Sequence, residues 1–338
     1  MAAAAEQTTQ TLPTYVDVEA AAQRLAGFAV ETPLIENLEL NAHVGGRVLI
    51  KPETLQRTGS FKFRGAFNRI SQIPESDRAR GVLAYSSGNH AQGVAAACAI
   101  LGIPATIVMP ADAPQAKLDN TRAYGAQVVT YDRYRDVRED IAAALLQESG
   151  ATLVRPYDDP GIIAGQGTCG RELAQQAAAV GAKLDAVLIC CGGGGLSAGC
   201  ALALDALSPQ TAVYAVEPEG FDDTGRSLRS GRRESNAADA RSICDALLAP
   251  APGELTFAIN RRLLAGGLAV SDDEARFAMA YAFRRLKMVV EPGGAVCLAA
   301  LLAGKLTARD QTIALTFSGG NVDPARMTEA LDAYPDPR

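Results

Sequence analysis

From residue 81 the chain alternates short β-branched apolar runs with Ala-rich stretches of helical period: GVLAY, HAQGVAAACAILG, ATIVM, a helical stretch near 114–123, then QVVTY. Strands are predicted to begin near Val82, Ala105 and Gln127. The spacing is too long for hairpins and suits parallel strands joined by right-handed helical crossovers, hence a three-layer α/β architecture. A further set of units opens with ATLVRPY near Ala151 and continues through a helix over about 162–180. It then runs through DAVLICC, a helix after Gly195, TAVYAVEP, TIALTFSGGN and a C-terminal helix. Residues 224–253, rich in Arg, Ser, Ala, Gly and Pro and without period, predict a long surface excursion.

Composition narrows the function classes. A length of 338 residues suggests two domains of ordinary size. Lys plus Arg total 32 against 38 Asp plus Glu, a net charge of −6 with no basic block, so nucleic acid is not expected as a partner. Seven cysteines, at positions 98, 169, 190, 191, 200, 244 and 297, include no CxxC pair and read as reduced thiols. Only His43 and His90 exist, which excludes a multi-histidine zinc site; His43 should be exposed and His90 a structural loop residue. With no leader pattern and no apolar run of membrane-spanning length, a soluble, cytoplasmic protein without a membrane partner is expected.

Four segments carry candidate chemistry. In KPETLQRTGSFKFRGAFNRI, residues 51–70, Ser60 is placed to cap a helix whose first turn holds Lys62 between Phe61 and Phe63. A helix N-terminus repels a cation, and an amine desolvated beside aromatic rings shifts to the neutral form that attacks carbonyls; alternatively its tip snorkels to water. SSGNHAQG, residues 86–93, places backbone N–H groups at a strand's carboxyl end, either as an anion site or as a plain cap.

The third segment, CGGGGLSAG, residues 191–199, forfeits more chain entropy than a turn requires and reads as a phosphate cradle. Gly193, Gly195 and Ala198 also satisfy GxGxxA, with Glu217 at the end of the next strand, so a nicotinamide oxidoreductase stays open. The fourth, FSGGN, residues 317–321, permits close approach to a ring or anion or forms a tight turn. All four should converge on one crevice of an open parallel sheet.

In the order SFKFRG, SSGNH, GGGG, SGGN, the chain resembles the fold type II pyridoxal 5′-phosphate (PLP) enzymes, the tryptophan synthase β-like class. Within it the likeness is to the threonine and serine dehydratases and the serine racemases, from about residue 30 to 323. The resemblance implies two open three-layer α/β domains with the cofactor in the cleft between them. Residues 1–75 and 156–338 would form the large PLP-binding domain and 76–155 the small one.

It further implies that Lys62 carries the cofactor aldehyde, beside Phe61, and that Asn89 partners the cofactor's phenolic oxygen. Gly192, Gly193, Gly194, Gly195 and Leu196 would hold the phosphate and Ser318 the ring nitrogen. Ser87, Gly88, Asn89 and His90 would receive the substrate carboxylate, with Ser87 also catalytic on the cofactor face opposite Lys62. Glu217, the Phe221 carbonyl and Asp223 would bind a divalent cation, magnesium or else calcium or manganese.

The implied activity is α,β-elimination from a small β-hydroxy amino acid, L-threonine or L-serine, giving a 2-oxo acid and ammonia. A serine racemase or 3-hydroxyaspartate dehydratase is the alternative on the same scaffold, and a homodimer or homotetramer the expected assembly. A non-catalytic amino-acid sensor would leave Lys62 without a purpose.

Overall fold

The computed structural model describes residues 11–86, 88–113, 115–132 and 135–336. Its strands in chain order are β1 (Ile35–Glu36), β2 (Arg47–Pro52), β3 (Val82–Tyr85), β4 (Ala105–Pro110), β5 (Gln127–Tyr131), β6 (Thr152–Leu153), β7 (Ala186–Cys190), β8 (Ala212–Pro218), β9 (Gly266–Val270) and β10 (Thr312–Phe317). They form a six-stranded sheet ordered β1-β2-β10-β7-β8-β9 and a four-stranded sheet ordered β5-β4-β3-β6. Every pairing is parallel except that of β1 with β2.

Successive residues of the large sheet enter opposite cores. Val48, Ile50, Leu188, Ile313, Leu315 and Phe317 pack under the helices Asp272–Tyr281 and Pro292–Leu302. Leu49, Val187, Ile189 and Ala314 pack under Pro160–Ala179 and Gly195–Leu207. Both faces are therefore covered, which is why VLI and AVLIC are continuously apolar rather than alternating. The small sheet shares a core with the helices Lys62–Ser71 and Asn89–Leu101, through Phe63, Phe67, Ile70, Val94 and Ile107.

The two-sheet α/β architecture and the strand starts at Val82, Ala105 and Gln127 agree with the sequence pattern. Three expectations need correction. The strand within ATLVRPY belongs to the small sheet, where Val82 and Leu83 pair with Thr152 and Leu153, instead of opening a second set. Segment 224–253 is only partly an excursion: it continues a helix, Asp223–Ser230, and its Cys244 and Leu247 are buried in the large-sheet core. Ser60 does not cap the Lys62 helix, because Phe61 occupies the cap position; Ser60 instead bridges Gly319, with its hydroxyl buried and unpartnered.

Candidate active site

Strand order places the site. In the large sheet β10 lies between β2 and β7, and in the small sheet β3 lies between β4 and β6. The chain reverses its direction of winding there and leaves crevices at the strands' carboxyl ends. A cavity of about 500 Å³ lies beyond those ends, lined by Tyr85, Gly88, Asn89 and His90 after β3, and by Arg155, Pro156, Tyr157 and Asp158 after β6. Residues Cys190, Gly192, Gly193, Gly194, Gly195 and Leu196 line it after β7, together with Phe61, Lys62, Arg138, Glu291 and the segment 245–253. Its size is that of a small-molecule site.

Lys62 opens the helix Lys62–Ser71, its Nζ lying 5.0 Å from the Phe61 ring centroid and donating a 2.8 Å hydrogen bond to the Pro156 carbonyl. Burial pushes its pKa down to about 8, against the opposing pull of the Glu291 carboxylate. About a tenth of this amine is therefore unprotonated at pH 7, far more than for a solvated lysine.

The glycine run is shaped by what surrounds it. A Cβ at Gly193 would lie 2.4 Å from the Tyr157 ring, and one at Gly195 would lie 2.5 Å from Gln166 Oε1. Gly194 has φ +91°, which disfavours any side chain. The Gly193 carbonyl accepts from Thr256 Oγ1 at 2.7 Å and from the Gly253 amide at 3.2 Å. Because a trans peptide points its C=O and N–H in opposite directions, the amide of Gly194 is turned away from those donors. The helix Gly195–Leu207 that follows has no side-chain cap. Neither has Asn89–Leu101, so two helix starts present unclaimed amides at the wall of one cavity, a setting suited to two anionic groups.

Asn89 is held at both ends of its amide. Its Nδ2 donates to Glu291 Oε1 at 2.6 Å, and its Oδ1 accepts from Asn321 Nδ2 at 2.8 Å. A second Nδ2–H is left over for a ligand. His90 is buried in the first turn of its helix rather than in a loop, with Nε2 donating to the Val154 carbonyl at 3.0 Å. Burial, reinforced by the Lys62 charge, lowers its pKa to about 3, so the imidazole is neutral and its unpartnered Nδ1 is an acceptor. His43 is exposed, as expected.

The remaining predicted residues lie apart from the wall. Ser318 is buried behind it, its carbonyl accepting from the Phe61 amide at 3.1 Å and its hydroxyl beside the Cys190 thiol. Ser87 lies outside the described residues. Glu217, Phe221 and Asp223 gather where β8 meets the helix Asp223–Ser230. The Glu217 carboxylate accepts the amides of Thr224 and Gly225 at 2.9 and 2.8 Å; Asp223 Oδ1 accepts from Asn236, and Oδ2 is buried without a partner. Burial pushes Glu217 up to about 8, with the Asp223 charge adding to it, and burial pushes Asp223 up to about 6. No cluster of three or more His, Cys, Asp or Glu side chains suited to a metal occurs among the described residues.

Sequence reasoning missed Glu291, Tyr157, Arg138, Arg155 and the wall 245–253. Only Glu291 left a trace, as the residue before a proline that opens the helix Pro292–Leu302.

The residues present fit pyridoxal phosphate: a partly neutral lysine, a glycine loop with no room for side chains at Gly193, Gly194 and Gly195, and an oriented amide share one cavity. Comparison with known proteins agrees. A family model described as pyridoxal-phosphate dependent enzyme matches residues 25–319. The L-threo-3-hydroxyaspartate ammonia-lyase of Pseudomonas sp is 47% identical over 95% of this chain and 99% of its own. The serine racemase of Schizosaccharomyces pombe is 43% identical over 95% and 98%. The crystal structure of a threonine deaminase from T.th. superposes with a TM-score of 0.86 at 47% identity, over 92% of this chain and 99% of that one. The glycine run is thereby accounted for without a dinucleotide, and the chain belongs to the pyridoxal-phosphate-dependent enzymes of fold type II, the family of threonine deaminases and serine racemases.

Proposed function

We propose that the chain is an ammonia-lyase that removes the β-hydroxyl and the amine of a small 3-hydroxy amino acid. L-Threonine would give 2-oxobutanoate and ammonia, and L-serine pyruvate and ammonia; 3-hydroxyaspartate, named by the Pseudomonas relative, would give oxaloacetate. The observation that carries this reading is the Lys62 amine, lowered to about 8 and held in the same cavity as two uncapped helix starts.

Pyridoxal phosphate, when bound, supplies an aldehyde for amines and a ring that accepts the electrons released at the substrate's α-carbon. Lys62 Nζ would hold that aldehyde beside Phe61 and, once displaced by the substrate amine, take the α-proton as general base. The amides of residues 192–196 would hold the phosphate. Asn89, fixed by Glu291 and Asn321, would offer its spare N–H to the ring hydroxyl. Ser318 would face the ring nitrogen as a neutral partner, which favours elimination over transamination. The amides of Gly88, Asn89 and His90, with Ser87 before them, would receive the substrate's α-carboxylate at the start of the Asn89 helix. The β-hydroxyl would leave as water, balanced by the α-proton that Lys62 took up; the released enamine would take a proton at its β-carbon to become an imine, and water would hydrolyse that imine to the 2-oxo acid and ammonia.

A divalent cation on Glu217, the Phe221 carbonyl and Asp223 is part of the proposal, supported by the unpartnered Asp223 Oδ2. Thr224 Oγ1 lies 3.4 Å from the Cys191 thiol, so that site adjoins the start of the glycine loop. Domain limits of 1–75 with 156–338, and of 76–155, are proposed from which strands share a sheet. A cytoplasmic homodimer or homotetramer completes the proposal, in keeping with cysteines that are all free.

Incubation of the holoenzyme with each of the three amino acids, with ammonia and the 2-oxo acid quantified, tests the reading. Ammonia from none of them refutes it. The likeness to serine racemases favours a second reading, and chiral analysis of residual serine separates inversion from elimination.

A further inference from the structure

We propose that Arg155 reads the substrate's side chain and selects a β-hydroxy amino acid bearing a second carboxylate over threonine and serine. This deepens the ammonia-lyase reading above and rests on it.

Arg155 stands between two residues whose backbones hold the site together. The Val154 carbonyl takes His90 Nε2 at 3.0 Å, and the Pro156 carbonyl takes Lys62 Nζ at 2.8 Å. The Arg155 backbone is thus one residue from the acceptor of the reactive amine, and its side chain is exposed at the cavity wall.

Every charged side chain described at the wall except Arg155 has a partner, beginning with Lys62 on the Pro156 carbonyl. Arg138 donates to Glu139 at 2.7 Å and lies over the Tyr85 ring at 5.3 Å. Arg233 donates to the Pro252 carbonyl at 2.9 Å and pairs with Glu254 at 3.0 Å. The Asp158 carboxylate accepts the amides of Glu254, Leu255 and Thr256 at the start of the helix Glu254–Leu263, and Glu291 holds Asn89. Asp245 likewise has a partner. Arg155 makes no hydrogen bond, ion pair or ring contact with any described residue.

The two uncapped helix starts account for the cofactor phosphate and the substrate's α-carboxylate, so neither needs this guanidinium. A planar guanidinium fork matches a carboxylate in two parallel hydrogen bonds. The methyl of threonine and the hydrogen of serine offer it nothing, but they leave it in water at no cost. Selection therefore works by gain with the dicarboxylate and not by exclusion of the others.

The test compares wild-type, Arg155→Met and Arg155→Lys holoenzymes for kcat/KM on L-threo-3-hydroxyaspartate, L-threonine and L-serine. It adds calorimetric binding of succinate and butyrate, which needs no turnover. A charge-assisted bidentate contact predicts that Arg155→Met loses about 30-fold or more on hydroxyaspartate, chiefly through KM. Threonine and serine should stay within about threefold, the level of an uncharged surface change. Succinate should bind the wild type about tenfold or more tighter than butyrate, a preference lost in Arg155→Met and partly kept in Arg155→Lys. Equal losses on all three amino acids would assign Arg155 to the α-carboxylate and overturn the proposal, as would no loss on any, or equal binding of the two acids by the wild type. Absence of ammonia from all three amino acids refutes the ammonia-lyase reading instead, and the succinate comparison then still decides whether Arg155 is a carboxylate receptor.

Discussion

Lys62 Nζ donates a 2.8 Å hydrogen bond to the carbonyl of Pro156, 94 residues further along the chain, so the loop after β6 fixes the amine that opens the helix Lys62–Ser71. The bond is compatible with either protonation state, and burial lowers the pKa to about 8. Only the neutral amine attacks an aldehyde. The rate at which cofactor-free protein captures pyridoxal phosphate should therefore rise with pH and level off above an inflection near 8, read by stopped-flow absorbance. An inflection near the ordinary lysine value of 10.5 would show that the amine is solvated.

Glu291 touches this equilibrium from the other side. Its negative charge favours protonated Lys62, so Glu291→Gln should move the inflection of cofactor capture to lower pH. The same change weakens the hold on Asn89 Nδ2, and kcat should fall about tenfold, the scale of one charge-assisted hydrogen bond. An unchanged inflection in Glu291→Gln would remove Glu291 from the electrostatics of the amine.

Gly193 faces the Tyr157 ring so closely that an alanine there requires the ring or the loop to move. Gly193→Ala should lower stability by about 1–3 kcal/mol, as overpacking does, and weaken cofactor binding at least tenfold. The pair Gly193→Ala with Tyr157→Ala should recover stability but not cofactor affinity if the loop also grips the phosphate. Thermal unfolding and equilibrium dialysis of the cofactor separate the two effects.

Beneath the site, Arg64 pairs with Glu53 at 2.7 Å, both side chains fully buried, and with Glu172 at 2.6 Å. Glu53→Ala should cost about 3–5 kcal/mol by leaving buried charge partly uncompensated. Burial, the largest single influence, would raise the Glu53 pKa, but Arg64 together with Lys51 and the Thr32 hydroxyl outweighs it and holds the carboxyl below its ordinary 4.5. Its contribution is thus present above pH 4.5 and lost as pH falls through the depressed value. Denaturant unfolding of wild type and Glu53→Ala across that range should converge at the acid end.

Magnesium should raise the melting temperature at neutral pH by mass action if Glu217 and Asp223 ligate it. The effect should be largest above pH 8, weaken as pH falls through about 8, where Glu217 takes up a proton that the cation must displace, and be lost below about 6, where Asp223 is protonated as well. Glu217→Gln should abolish it. A melting temperature indifferent to magnesium in the wild type would remove the cation from the proposal.

What the sequence revealed follows from which interactions are local. Val82 and Ala105 open strands whose apolar runs are largely buried, and Gln127 opens a half-exposed edge strand whose β-branched pair Val128 and Val129 still marks it, so all three show as composition. The four candidate segments all lie at strand ends or helix starts, where glycine and small polar residues mark close backbone approach. Ser60 looked like a cap because capping is a local pattern, but a bridge to Gly319 had already fixed its backbone. The segment 224–253 looked like surface because it lacks period, while Leu247 is anchored by residues distant in sequence, from the helix Pro292–Leu302. Arg155 and Tyr157 sit in irregular chain, with neither period nor motif, so only the closing of the small sheet by β6 brings them to the cavity.

The central claim is a carbon–nitrogen link between Lys62 and the aldehyde of pyridoxal phosphate, and borohydride reduction of the holoenzyme followed by peptide mapping tests it most directly. The account predicts loss of the visible absorbance band, a gain in intact mass of one reduced cofactor per chain, and the label on the peptide containing Lys62. A colourless holoenzyme, an unchanged mass, or a label on any other lysine would contradict it.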